Sequence, residues 1–406
     1  MRGRLLILAA GLVLCAVCGV LYAWSMFVVP LERAFGWQRA ETSLTFTFMI
    51  TFFSLGMFAG GKLLRFGPAR AVRIGGVLLC AGLVWASRVD SLVGLYLSYG
   101  VVAGFGIGIV NLVPAAVCLR WYPERKGLVS GLLTMALAFG TLVFGTGGAG
   151  WLIGKVGVSD TFLALAAAFL VLVAGGSGLL RMPPEQPGTA SAEGVGLGGM
   201  LRAPSYWMIW GWMLAIQIGG LMIIGHIVPY ALEVGLTEAQ AALGMGVYAV
   251  ANGAGRLLFG YVHDRLGRAW GMGLDAALMG LGLFLLAALP PRWGMAGLLL
   301  GAVPVALAFG GTIPQLAALI MAFFGPRCFG VNYGFSTTPL MVASICGPFL
   351  GGLIRAWSGG YLVALHVAAA VTLLGVAPAL LLPPPGKEGR ERPAGAEGAR
   401  LPSRDV

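Results

Sequence analysis

The sequence predicts an all-α membrane protein of about twelve transmembrane helices, arranged as two pseudo-symmetric six-helix bundles with both termini cytoplasmic. Three observations predict it. Of the 406 residues, 58% are apolar and only 10% are charged, whereas a soluble chain carries about 25% charged residues. Apolar runs of about twenty residues recur from end to end, each able to cross a ~30 Å hydrocarbon core. A short motif at the end of the second run also returns two hundred residues later. Runs of helical length without polar/apolar alternation exclude an outer-membrane barrel.

The first run, 5–31, follows Met1-Arg2-Gly3-Arg4. It is longer than the apolar part of a signal peptide and reads as an uncleaved first span. Short polar segments then separate runs 42–64, 72–88, 91–119, 128–154 and 159–180. Segment 181–205, with Pro183-Pro184 and many small residues, reads as a flexible cytoplasmic linker. The second half repeats the plan with runs 206–231, 238–262, 269–289, 293–324, 329–354 and 360–382. The polar tail 383–406 reads as flexible. The expected domains are therefore a first bundle at 1–180, the linker at 181–205, a second bundle at 206–382, and the tail.

Lysine and arginine test the orientation. With the N-terminus cytoplasmic, nineteen of the 26 fall on the cytoplasmic side and six on the other, Arg256 being the remaining one. That bias places both termini inside. It also accounts for the net charge of +11 without nucleic acid as a partner, because loop cations face anionic lipid. The expected setting is a bacterial cytoplasmic membrane, and the chain is expected to work as a monomer.

Glycine supplies 66 residues. Small-xxx-small pairs such as Gly56 and Gly60, or Gly104 and Gly108, let membrane helices pack closely. The six cysteines lie in or at the ends of apolar runs, and Cys15-x-x-Cys18 has no histidine or second pair beside it. They read as small hydrophobes, so neither a disulfide nor a metal is expected. No nucleophile–base pair or nucleotide motif is present, so the chain is not expected to be an enzyme or to hold a cofactor.

Arg256 stands alone as a charge within 242–262, a stretch long enough to span the bilayer. A permanent cation there costs roughly 3 kcal/mol or more. Its obvious use is to hold an anion, since guanidinium forms a two-pronged fork with carboxylate and stays charged. The alternative is that the side chain snorkels to the surface. Asp264, eight residues on, is about 12 Å away along a helix, a long reach.

The internal repeat sets Gly60, Arg65 and Gly67 on Gly260, Arg265 and Gly267, and Pro114 on Pro314. The second copy, Gly260-Tyr-Val-His-Asp264-Arg265-Leu-Gly267-Arg268, fits G-x-x-x-D-R-x-G-R. It resembles the loop that marks the major facilitator superfamily. The resemblance implies a conformational latch at Asp264, Arg265 and Arg268, in which Asp264 caps a helix N-terminus and pairs with arginines.

Other segments narrow the likeness. They are Gly19-Val-Leu-Tyr22-Ala-Trp24-Ser25, Trp121-Tyr-Pro-Glu-Arg125-Lys126-Gly127, Gly225-His226-Ile-Val-Pro229-Tyr230 and Asn252-Gly-Ala-Gly-Arg256. Together they resemble the monocarboxylate transporter and oxalate:formate antiporter families over nearly the whole chain. The resemblance implies a carrier of small carboxylates in which Arg256 binds the carboxylate. Oxalate-type members carry a second cation in span eleven, where this chain has Leu340. Monocarboxylate transporters carry an acid one turn before the arginine, where this chain has Asn252. One cation balances one carboxylate, so a monocarboxylate of the lactate or pyruvate class is favoured over a dianion.

Further pocket candidates are Tyr22 and Ser25 in span one, Asn111 in span four, Tyr248 two turns before Arg256, and Asn332, Tyr333, Phe335, Ser336 and Thr337 in span eleven. Each hydroxyl has the alternative of bonding its own helix. Gln217 and Gln315 are weaker candidates. Protons are a candidate second passenger, with His226 and Asp275 as carriers, and His366 reads as packing. The rivals to a proton-linked carrier are an organic-anion antiporter, a passive anion channel and a membrane sensor.

Overall fold

The computed structural model describes residues 2–184 and 194–385. Part of the expected linker, 185–193, and nearly all of the expected tail, 386–406, lie outside the described residues. The described chain is helical throughout. In the first half the helices are α1 (Arg2–Val17), α2 (Trp24–Phe35), α3 (Arg39–Leu63), α4 (Pro68–Ala86), α5 (Leu92–Leu95), α6 (Gly104–Trp121), α7 (Lys126–Gly140) and α8 (Gly150–Leu179). The second half has α9 (Leu197–Arg202), α10 (Pro204–Glu233), α11 (Glu238–Leu266), α12 (Arg268–Ala288), α13 (Pro290–Phe324), α14 (Phe329–Ser336), α15 (Thr338–Ser358), α16 (Leu362–Leu374) and α17 (Val376–Leu381).

Ten helical runs are long and apolar enough to cross a membrane. One is the 54-residue run Lys126–Leu179, which Gly157 breaks in two at φ 81°. Helix α11, at 29 residues, is long enough but less apolar, because it carries Asn252 and Arg256. Counting both gives the twelve spans expected from the sequence.

The repeat is visible in the backbone. Gly36, Gly67 and Gly157 have positive φ, and so do Gly235, Gly267 and Gly359 about two hundred residues later. Gly67 and Gly267 each precede the first residue of a helix, α4 and α12. Only glycine takes such an angle without strain. The chain thus turns the same corner at equivalent points of each bundle.

Three expected elements differ. Span one is interrupted by a 3-10 turn at Cys18–Ala23, the segment that carries Tyr22. Span eleven breaks at Thr337, because Pro339 cannot continue the hydrogen-bond ladder across it. The described end of the expected flexible linker is instead docked. Leu197, Met200 and Leu201 put one apolar face of α9 on the second bundle, with Met200 fully buried. There the Val195 amide donates to the Phe324 carbonyl, and the Asn332 side chain donates to the Val195 carbonyl at 2.8 Å. The i, i+3, i+4 spacing made this stretch helical despite its glycines.

The bundles meet through α7 with α11 and α13, and through α3 with α14 and α15. The close approaches are made by glycine. A Cβ at Gly131 would stand 2.5 Å from the Arg256 carbonyl oxygen, and one at Gly61 or Gly127 would collide with the backbone at Gly330 or Gly260. These approaches run from the Asp264 end of the molecule to the level of Arg256. The structure is therefore closed at the Asp264 end.

Candidate functional site

Helix α11 presents Asn252 and Arg256 on one face, four residues apart. The Asn252 Oδ1 accepts from Arg256 Nε at 3.3 Å and from Nη2 at 3.2 Å. Nη1 reaches across the seam and donates to the Thr134 carbonyl of α7. The Tyr22 hydroxyl is close enough to interact with the guanidinium, and the Tyr333 phenol also faces its charge. Arg256 therefore sits between the bundles, half-buried, and does not snorkel to the helix end.

No carboxylate touches Arg256 among the described residues. Its described partners are dipoles: an amide oxygen, a main-chain carbonyl and a phenol. Dipoles orient a guanidinium but leave its net charge uncancelled, in a setting where Coulomb attraction is strong. Such a group attracts an anion.

The other candidates divide. Tyr333 is buried and stacks on Phe329 with ring centroids 5.1 Å apart. Phe335 meets Phe58 of the first bundle edge-on at 6.0 Å, so it lies in the seam. Asn111 is half-buried in α6. Ser25 belongs to α2, but its side chain lies outside the described residues. Tyr248 is buried within the second bundle and donates to the Gly220 carbonyl at 3.3 Å. Asn332 spends its amide on Val195, away from Arg256. Ser336 bonds the Asn332 carbonyl at 2.7 Å and Thr337 the Gly334 carbonyl at 2.8 Å. In Tyr248, Ser336 and Thr337 the hydroxyl is already used inside the second bundle, whereas the buried Asn332 Oδ1 has no partner. Leu340 is buried in α15, and Gln217 is buried in α10.

Neither proton-carrier candidate touches Arg256. His226 is half-buried, with Nδ1 3.0 Å from the Tyr361 hydroxyl and Nε2 2.9 Å from the Pro348 carbonyl. Next to it, Glu233 pairs with Arg355 at 3.0 Å and accepts from the Tyr361 amide at 3.1 Å. Asp275 is fully buried. It accepts from Gln315 Nε2 at 2.9 Å through one oxygen, and the other has no partner. No arginine pairs with Asp275 among the described residues. His366 bonds its own helix at the Leu362 carbonyl.

At the closed end, Asp264 accepts from the main-chain amides of Gly127 at 2.8 Å and Leu128 at 2.9 Å. It thereby caps α7 of the opposite bundle. The expected arginine partners are otherwise engaged. Arg265 lies over the Tyr261 ring, and Arg268 donates to the Leu382 carbonyl at 3.0 Å.

Sequence reasoning missed Thr134. Its part in the site is a main-chain carbonyl, which no residue type announces. The Glu233–Arg355–Tyr361 cluster was missed as well, although an acid and a base at helix ends were there to be paired.

The geometry can be set beside known proteins. A family model of the Major Facilitator Superfamily matches residues 9–230 and 213–405. The chain is 28% identical to the oxalate:formate antiporter of Oxalobacter formigenes, covering 87% of this chain and 86% of that one. It is 30% identical to the uncharacterized MFS-type transporter YhjX of Escherichia coli (strain K12), over 85% and 87%. It is 26% identical to monocarboxylate transporter 13 of Bos taurus, over 94% and 89%. Among solved structures, the E. coli fucose:proton symporter FucP superposes with a TM-score of 0.71 at 16% identity, covering 94% of this chain and 100% of that one. The proton:xylose symporter XylE gives 0.68 at 16% identity, over 94% and 96%. With its two bundles, its twelve spans and a family match over both halves, this chain belongs to the Major Facilitator Superfamily, as a membrane transporter in the branch of the oxalate:formate antiporter and the monocarboxylate transporters, and is not an enzyme.

Proposed function

We propose that the protein is a secondary carrier of small monocarboxylates, of the lactate and pyruvate class, working by alternating access. The observation that carries this reading is Arg256, a guanidinium held between the bundles with only dipoles for described partners. One carboxylate cancels one charge. A dianion would need a second cation, and Leu340 stands where oxalate-type relatives have one. The names of the relatives support a small organic anion as cargo, and the antiporter among them makes anion exchange the second reading.

Asp264, on the N-terminus of α7, serves as the latch of one end state. The distribution of Lys and Arg supports cytoplasmic termini, which makes the closed Asp264 end the cytoplasmic one. A bacterial inner membrane and a monomeric carrier fit this arrangement. The two bundles, 1–180 and 206–382, are the moving bodies. We assign proton coupling to His226 over Asp275, because His226 is only half-buried and Asp275 is sealed.

Uptake of labelled lactate, pyruvate, formate and oxalate into proteoliposomes tests the reading. The wild-type protein is expected to saturate with a monocarboxylate, while Arg256→Ala is inserted and folded but inactive. Carboxylate uptake retained by Arg256→Ala removes the assignment. Non-saturating flux without trans-stimulation would mean a channel, and binding without flux would mean a sensor.

A further inference from the structure

A second basic site lies apart from Arg256, on the face that carries Asp264. A cavity of about 600 Å³ opens there, lined by Lys62, Arg65, Arg120 and Arg327 with Met182 and Val331 among its other walls. Three of the cations come from the first bundle, at the end of α3 and in α6. Arg327 comes from the second, just before α14. The cavity therefore straddles the seam, beside the close approach of Gly61 to Gly330.

Its charge is one-sided. All four charged side chains lining it are cations, and no carboxylate lines it among the described residues. Two other basic groups are matched by acids, Arg4 by Glu124 at 2.6 Å and Arg355 by Glu233. Like charges drawn from two bodies repel and push the seam apart. Two of them are held by contacts of their own. Arg120 crosses the seam to the Pro326 carbonyl and also contacts the Met182 sulfur at 3.4 Å. Its buried Nε has no partner. Lys62 is held over the Phe58 ring at 4.5 Å.

Ordinary loop cations spread around a membrane protein and meet headgroups one at a time. Four that converge on a cavity between helices form a pocket for a phosphate-bearing headgroup. The volume is in the range of small-ligand sites. We propose that this cavity binds a phosphate anion, supplied either by an acidic phospholipid headgroup or by a soluble phosphate, and that the bound anion holds the bundles together at the Asp264 end. It would cancel the repulsion and join Lys62 and Arg65 to Arg327. The site is independent of the carboxylate reading, because Arg256 takes no part in it.

The test is thermal unfolding of the full-length protein in detergent, with added cardiolipin, phosphatidylglycerol, phosphatidylcholine or inorganic phosphate. Acidic lipid, inorganic phosphate, or both are expected to raise Tm, with no rise from phosphatidylcholine. The triple variant K62Q/R65Q/R327Q is expected to lose the shift, with apparent affinity weaker by about tenfold or more. Arg120 is left intact because it ties the seam directly. A shift from acidic lipid alone identifies a headgroup as the source, and a shift from inorganic phosphate alone identifies a soluble anion. Equal stabilisation by phosphatidylcholine, or a full shift in the triple variant, overturns the proposal, as does no shift from any of them. If the triple variant fails to fold, R327Q alone makes the same comparison. Arg256→Ala is expected to keep the full shift, which separates failure here from failure of the carboxylate assignment.

Discussion

Asp264 and Gly127 belong to different bundles, yet the carboxylate of one accepts from the main-chain amide of the other at 2.8 Å. The second carboxylate oxygen takes the next amide, that of Leu128. One side chain thus satisfies two orphan donors at the start of α7 and places a negative charge on the positive end of that helix.

Asp264→Asn removes the charge but keeps the shape. The closed state is expected to lose about 1 kcal/mol, or about fivefold in the ratio of closed to open molecules. Distance measurements between spin labels on the two bundles at the Asp264 end check this. An unchanged distribution would show that the cap does not bias the states.

Gly131→Ala acts on the same seam by bulk. Its Cβ would stand 2.5 Å from the Arg256 carbonyl oxygen, a backbone atom that cannot swing aside. The expected cost falls on the closed form, about 1–3 kcal/mol. The variant should show raised labelling of a cysteine placed in the seam and slower carboxylate uptake. Wild-type labelling would count against the packing argument.

Asn252→Asp places an acid on the amide oxygen that Arg256 now uses at 3.2–3.3 Å. The ionised aspartate would neutralise the guanidinium and compete with cargo. Carboxylate affinity is therefore expected to be highest at low pH, where the new acid is protonated, and to fall as pH rises through its titration. Binding measured across pH should show this slope in the variant beyond any in the parent. Equal pH profiles would mean that Arg256 is not the anion's partner.

Leu340→Lys adds a second cation in α15. Preference is expected to shift from monocarboxylates toward dicarboxylates, read from competition for labelled uptake. Unchanged relative affinities would defeat the charge-balance argument.

His226→Gln keeps a polar side chain facing Tyr361 and Pro348 but cannot titrate. Uptake by the parent is expected to quicken under an imposed inward proton gradient, and the variant should lose that gain. A variant with the parent's pH response would return the proton to another carrier.

The parts of this molecule that the sequence exposed were those with a cost attached. Arg256 is conspicuous because an isolated cation in an apolar run is expensive. Asp264 is conspicuous because its motif is rigid. What stayed hidden was held by the main chain or by docking. The Thr134 carbonyl carries no residue signature. Asn332 is a pocket candidate by its place in span eleven, yet its amide nitrogen donates to the Val195 carbonyl, in a stretch whose composition suggests a loose tether. The turn at Cys18–Ala23 that carries Tyr22 has no proline to announce it, whereas the break at Thr337 has Pro339 beside it.

The bond from Arg256 to the Thr134 carbonyl ties one half of the molecule to the other. If that cation baits the cargo, as proposed, an unloaded molecule has to tear this bolt loose before it can swing over. Cargo that takes over the guanidinium removes the bolt and frees the swing. Return trips made empty should then be the slow leg of the cycle, and swapping one anion for another across the bilayer should outrun one-way delivery.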